Sequence, residues 1–141
     1  MRLSILLAVL LGACGASDVI PDDTDDTDVA ADTDVAPPPT FDRIDSKILR
    51  PSCGFSACHG AGGAPFITGN KASDYANLVN AASNAKNGAV LVIPGDPENS
   101  YLMHKLEGAA DIEGGRMPPT SALTPKQIQE IRDWIAAGAK R

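Results

Sequence analysis

The sequence predicts a small all-α domain with long loops between its helices. Three observations predict it. Apolar residues recur at helical spacing in four stretches between Phe41 and Arg141. Residues that start or stop helices flank those stretches: Thr124-Pro125 and Asp96-Pro97 at starts, Pro51, Gly108 and Gly138 at ends. Between them lie segments too rich in glycine and proline for helix or strand, Gly60–Pro65 and Gly114–Pro119.

The domain occupies only part of the 141 residues. Residues 1–13 have one arginine and then the apolar run Leu3–Leu11, broken only by Ser4. Such a run is too short to span a bilayer, which takes about 20 residues. It matches the apolar region of an export signal. It ends in Leu11-Gly12-Ala13-Cys14, which resembles the bacterial lipobox and implies lipidation at Cys14. The acyl chains, at ~0.8 kcal/mol per buried CH₂, would hold a small domain on a membrane. The expected location is the periplasmic side of the cell envelope, and Gly15 after the cysteine favours the outer membrane over the inner.

Residues 14–40 read as the lipidated cysteine and a disordered tether. Eight aspartates and no base fall between Gly15 and Thr40. Like charges repel there, and large apolar groups are too few to offset chain entropy. An Asp-rich calcium site is the sharper reading, but the stretch lacks the glycine and closing glutamate of an EF-hand loop. At ~5–6 Å × √n the tether spans roughly 25–30 Å. The domain, 41–141, has eleven Lys/Arg against ten Asp/Glu, a net charge of +1. The acidity behind the formal charge of −6 therefore belongs to the tether. No basic patch suggests nucleic acid.

Phe41, Ile44, Ile48 and Leu49 share one face of a helix over Phe41–Arg50, which Pro51 ends. A helix over Ser73–Ala82 comes next, with Ser73 as cap and Tyr75, Leu78, Val79 and Ala82 on one side. Val90–Ile93 is an apolar run of undecided type, strand-like or simply buried chain. Asp96-Pro97-Glu98 starts a helix that runs to Leu106 or Glu107 and stops at Gly108. A long loop, Gly108–Leu123, leads to the last helix. Thr124-Pro125-Lys126-Gln127 is a capping box, and Ile128, Ile131, Trp134 and Ile135 form the apolar stripe that Gly138 closes.

The stretch that carries chemistry is Cys53-Gly54-Phe55-Ser56-Ala57-Cys58-His59. Two thiols and an imidazole in an exported chain suggest covalent haem attachment, with one thioether from each cysteine and His59 on the iron. Gly54, Ser56 and Ala57 leave room for the loop to bulge. A sixth ligand should come from a far loop. Met117 lies 58 residues after His59, between glycines and prolines. A thioether there favours ferrous iron. His104 is the rival ligand, and an open position is the third possibility.

These residues resemble the monohaem c-type cytochromes, and in wording the cytochrome c-like domains of exported bacterial lipoproteins. The resemblance rests on Ile48–Cys53, Cys58-His59, Pro94–Leu102, Arg116-Met117-Pro118-Pro119 and Trp134–Ala139. It implies an all-α fold with the terminal helices packed together over a haem, Ile44 and Ile48 meeting Ile131 and Trp134. It implies one covalent haem c on Cys53 and Cys58, axial ligands His59 and Met117, and single-electron transfer with exported redox proteins. The chain departs from the family in having four residues between the cysteines instead of two, and in lacking a glycine in the first helix.

Two other readings use the same residues. A Cys53–Cys58 disulfide would make a haem-free exported interaction or adaptor domain. A zinc site would draw on Cys53, Cys58, His59 and His104. No acid–base pair or nucleophile–base spacing marks an enzyme, and peroxidase-like chemistry would need an open sixth position.

Overall fold

The computed structural model describes residues 36–141, which form one compact unit, Ala36–Arg141. The export signal, Cys14 and the tether up to Val35 lie outside the described residues. Among the described residues the regular structure is helical, as the sequence predicts. No helix there is long and apolar enough to cross a membrane.

Helix α1 (Phe41–Ile44) continues through a π-helical stretch (Asp45–Leu49) into α2 (Arg50–Cys53). The sequence predicts that Pro51 ends the helix at Arg50, and it does not. A proline inside an α-helix lacks the N–H bond and clashes with the carbonyl four residues back. Widening the preceding turn to π geometry relieves that conflict and carries the helix on to Cys53.

Helix α3 (Lys71–Ala76) starts and stops earlier than the predicted Ser73–Ala82. Its cap is Asn70, whose side chain accepts from the amides of Ala72 and Ser73 at 3.2 Å each. The chain beyond it is drawn into extended pairing. Val79 bridges Val92 in parallel and Ala82 bridges Val90 antiparallel, which resolves Val90–Ile93 as extended chain.

Helix α4 (Tyr101–Glu107) ends where predicted, with Gly108 in the left-handed region at φ 74°. It begins one turn later than Asp96-Pro97 suggests. Asp96 Oδ1 instead accepts the Asn99 amide (3.2 Å), closing a turn, and Ser100 is the boundary residue. The Ser100 hydroxyl is spent on the neighbouring chain, donating to the Asp96 carbonyl (2.7 Å) and accepting the Ile93 amide (2.9 Å).

Helix α5 (Pro125–Ala136) carries the predicted capping box in full: Gln127 N to Thr124 Oγ1, and Thr124 N to Gln127 Oε1.

Helices α1 and α5 pack together. Phe41, Ile44, Ile48, Ile131, Trp134 and Ile135 are all buried in one core with Met103 and Leu106. The Phe41 and Trp134 rings lie 5.6 Å apart, centre to centre. The carbonyl of Lys140 closes this contact. It accepts both the Phe41 amide (2.9 Å) and the Trp134 indole N–H (2.8 Å), so one oxygen satisfies the start of α1 and the one indole. Arg43 pairs with Glu130 across the same interface.

Candidate functional site

The loop that leaves α2 folds back on itself so tightly that glycine is required in it. A Cβ on Gly60 would lie 2.5 Å from the Gly54 carbonyl oxygen and 2.9 Å from that of Phe55. A Cβ on Gly54 would lie 2.8 Å from the Arg50 carbonyl oxygen. Backbone bonds finish the turn: Cys58 N and Gly60 N both donate to the Phe55 carbonyl at 2.9 Å. A short helical turn, Ser56–Gly60, kinks at Cys58. The loop is then stapled to the segment leading into α3, because Ile67 N donates to the His59 carbonyl at 2.7 Å.

Charged side chains lock the far end of that staple. Asp74 is fully buried and accepts three bonds, from Thr68 N (2.9 Å), Thr68 Oγ1 (3.1 Å) and Gly69 N (2.7 Å). Buried Asp45 binds Arg50 at 2.6 Å. Its second oxygen, Oδ1, is buried without a partner.

This fold brings four of the predicted residues together. Cys53, His59 and Met117 line an apolar cleft with a volume of about 140 Å³. Leu49, Ile67, Leu78, Leu91, Tyr101, Leu102 and Leu106 form its walls. Its lining is apolar with a few placed polar groups, the character of a small-molecule or cofactor site. A second cavity of about 270 Å³ shares Cys53, His59 and Met117 and adds Cys58, Pro118 and Pro119. Met117 thus faces the same space as His59 although 58 residues separate them.

The imidazole of His59 is oriented by one bond. Its Nδ1 lies 3.2 Å from the Gly63 carbonyl oxygen. A carbonyl only accepts, so Nδ1 carries the proton and donates. Nε2 is left as the ring nitrogen through which this histidine could bind a metal.

Cys53 and Cys58 are both free thiols, Cys58 exposed and Cys53 half-buried. Burial, and to a lesser degree the neighbouring Cys58, pushes the Cys53 thiol up to about 11. At neutral pH Cys53 is therefore a thiol and not a thiolate.

The structure does not bring His104 to the cleft. Both of its nitrogens are engaged elsewhere: Nε2 donates to the Glu98 carbonyl (2.7 Å) and Nδ1 to the Asp111 carboxylate (2.9 Å). The bond to Glu98 and the contact with Asp111 favour the doubly protonated ring and raise its pKa. With both nitrogens donating, His104 has no lone pair to offer iron. Among the described residues no group of three or more His, Cys, Asp or Glu side chains is placed to hold one metal ion.

Sequence reasoning missed the residues that hold the Met117 loop. Lys105 lines the cleft, and its ammonium donates to the carbonyls of Glu113 (2.8 Å) and Gly115 (2.6 Å). An exposed-looking lysine inside a helix carries no sequence signal of such a role. The Gly63 acceptor for His59 was equally hidden, since it depends on how a glycine-rich loop closes.

No protein-family model, curated protein or solved structure matches this chain.

Proposed function

We propose that this chain is an electron carrier of the c-type cytochrome kind, holding one covalent haem in the cleft between the Cys53–His59 loop and the Met117 loop. One observation carries the reading. Two remote loops present a pair of thiols, a histidine with a free Nε2, and a thioether to one apolar space.

The residues fit the group. Cys53 and Cys58 would anchor it, each S–H adding across one vinyl double bond, sulfur to one carbon and hydrogen to the other, with no leaving group. His59 would bind the iron from one side through Nε2, held by the Nδ1–Gly63 bond. Met117 would bind from the other. The iron, when bound, supplies reversible one-electron chemistry, and a thioether ligand biases it to the ferrous state. The leucine-lined walls would put apolar side chains around the group and lower the local dielectric there. Held by both His59 and Met117, the iron would pass single electrons and would not take a substrate.

The lipid at Cys14 and the acidic tether would keep the carrier at a membrane surface while it meets exported redox proteins. Met117→Ala tests the ligand assignment. The oxidised protein should lose its near-infrared sulfur-to-iron band while keeping covalent haem; a band that persists moves the ligand elsewhere.

A further inference from the structure

The loop that carries Met117 is held by α4 before any ligand is considered. Glu113 N donates to the Tyr101 hydroxyl at 2.8 Å. Lys105 Nζ donates to the Glu113 and Gly115 carbonyls. Met117 N donates to the Lys105 carbonyl at 2.8 Å. Arg116 Nε donates to the Leu106 carbonyl at 3.0 Å. Tyr101 and Lys105 are four residues apart and so share a helix face. That face grips every second residue of the segment 113–117. Lys105 alone contributes three of the bonds, two from its ammonium and one to its own carbonyl.

We infer that Lys105 is the positioning residue for Met117: its ammonium ties the loop to α4, so the thioether is presented to the cleft by the protein and not recruited by the metal. The inference rests on the haem reading for the purpose of the thioether, and on the structure alone for the grip. Two features single out Lys105 over its neighbours. Its ammonium bonds neutral carbonyls and no carboxylate, so its charge is spent entirely on ordering this loop. It is also the one Lys, Arg, Asp or Glu among the described residues that line either cavity. A pre-set ligand saves the ordering entropy that a mobile loop would lose on binding.

The test uses the full chain in wild-type, Lys105→Met and Lys105→Arg forms, each made with and without a c-type maturation system. Lys105→Met keeps the stem against the cleft and removes the ammonium; Lys105→Arg restores donors. The first readout is amide exchange at Met117 in the haem-free chains. Wild type should protect it, Lys105→Met should lose roughly ten- to a hundredfold of that protection, the range for losing two charge-assisted bonds, and Lys105→Arg should recover most of it. The second readout is displacement of Met117 by imidazole in the haem-loaded chains, followed by loss of the near-infrared band. Lys105→Met should bind imidazole at least about tenfold more tightly, with Lys105→Arg near wild type. Lys86→Met, which releases the Asp111 end of the same loop, should change neither readout much. A Met117 amide that exchanges freely in the wild-type haem-free chain, or equally in wild type and Lys105→Met, overturns the inference. Failure of the wild-type chain to take up haem would sink the electron-carrier reading and leave the exchange result standing on its own.

Discussion

The two walls of the cleft are built by different physics. The Cys53–His59 wall is made of backbone. Its turns are closed by main-chain bonds to the Phe55 and His59 carbonyls, and Gly54 and Gly60 permit contacts that no other residue could make. The Met117 wall is made of side-chain bonds that run between the loop and α4. Tyr101, Lys105 and Arg116 hold a segment that makes one main-chain bond to α4 at Met117. The first arrangement is stiff and intolerant, because backbone cannot step aside. The second is adjustable, because each bond can be removed singly. On the proposed reading, that division would suit a site that anchors a cofactor covalently on one side and tunes its ligand on the other.

The two walls should differ most sharply at Gly60. Gly60→Ala places a methyl carbon 2.5 Å from a backbone oxygen, so the loop must reopen. The expected cost is about 3 kcal/mol or more. That corresponds to a thermal midpoint at least roughly 12 °C lower for a domain of this size, together with loss of haem retention. A variant as stable as wild type would show that the backbone wall is not stiff. Asp74→Ala comes next. It leaves the Thr68 and Gly69 amides without their acceptor and frees the staple behind His59. Urea unfolding should show a loss of roughly 2–3 kcal/mol.

The smallest effect belongs to the Met117 side. His104 bridges Glu98 and Asp111, at the start of the loop that leads to Met117. Its pKa is raised in the folded chain, first by the Glu98 bond. The charged ring therefore stabilises the fold fully below the unfolded pKa of ~6.5, and the contribution fades as pH rises through the higher folded value. His104→Ala should cost a few tenths to about 1 kcal/mol near pH 5.5 and less near pH 9, after allowance for solvent screening. An equal cost at both pH values would mean that charge plays no part there.

How much of this was legible in the sequence depends on how local the cause is. The α5 start was legible to the residue, because Thr124 and Gln127 satisfy each other within one turn. The end of α4 was legible because Gly108 can adopt a left-handed conformation cheaply. The starts of α3 and α4 were not. Asn70 and Ser73 are both good caps, and the choice between them is set by Asp74 reaching back to Thr68 and Gly69. Asp96 can open a helix or close a turn, and the bonds of Ser100 to Ile93 and Asp96 fix the later start. Pro51 misled for a related reason: a π-helical stretch is set by the surrounding packing and leaves no mark in composition. At the site, Cys53, Cys58, His59 and Met117 stood out because those residue types are rare in this chain. Lys105 did not, because its role exists only once α4 and the 113–117 segment are neighbours.

The proposed function depends on haem attachment through Cys53 and Cys58 across the four residues between them. The most direct measurement is an intact mass of the full chain after co-expression with a c-type maturation system, taken under denaturing conditions. If haem is attached covalently, the mass is greater by one haem, the cofactor staying with the chain after unfolding. A mass without haem and lighter by two hydrogens, the signature of a Cys53–Cys58 disulfide, would contradict it.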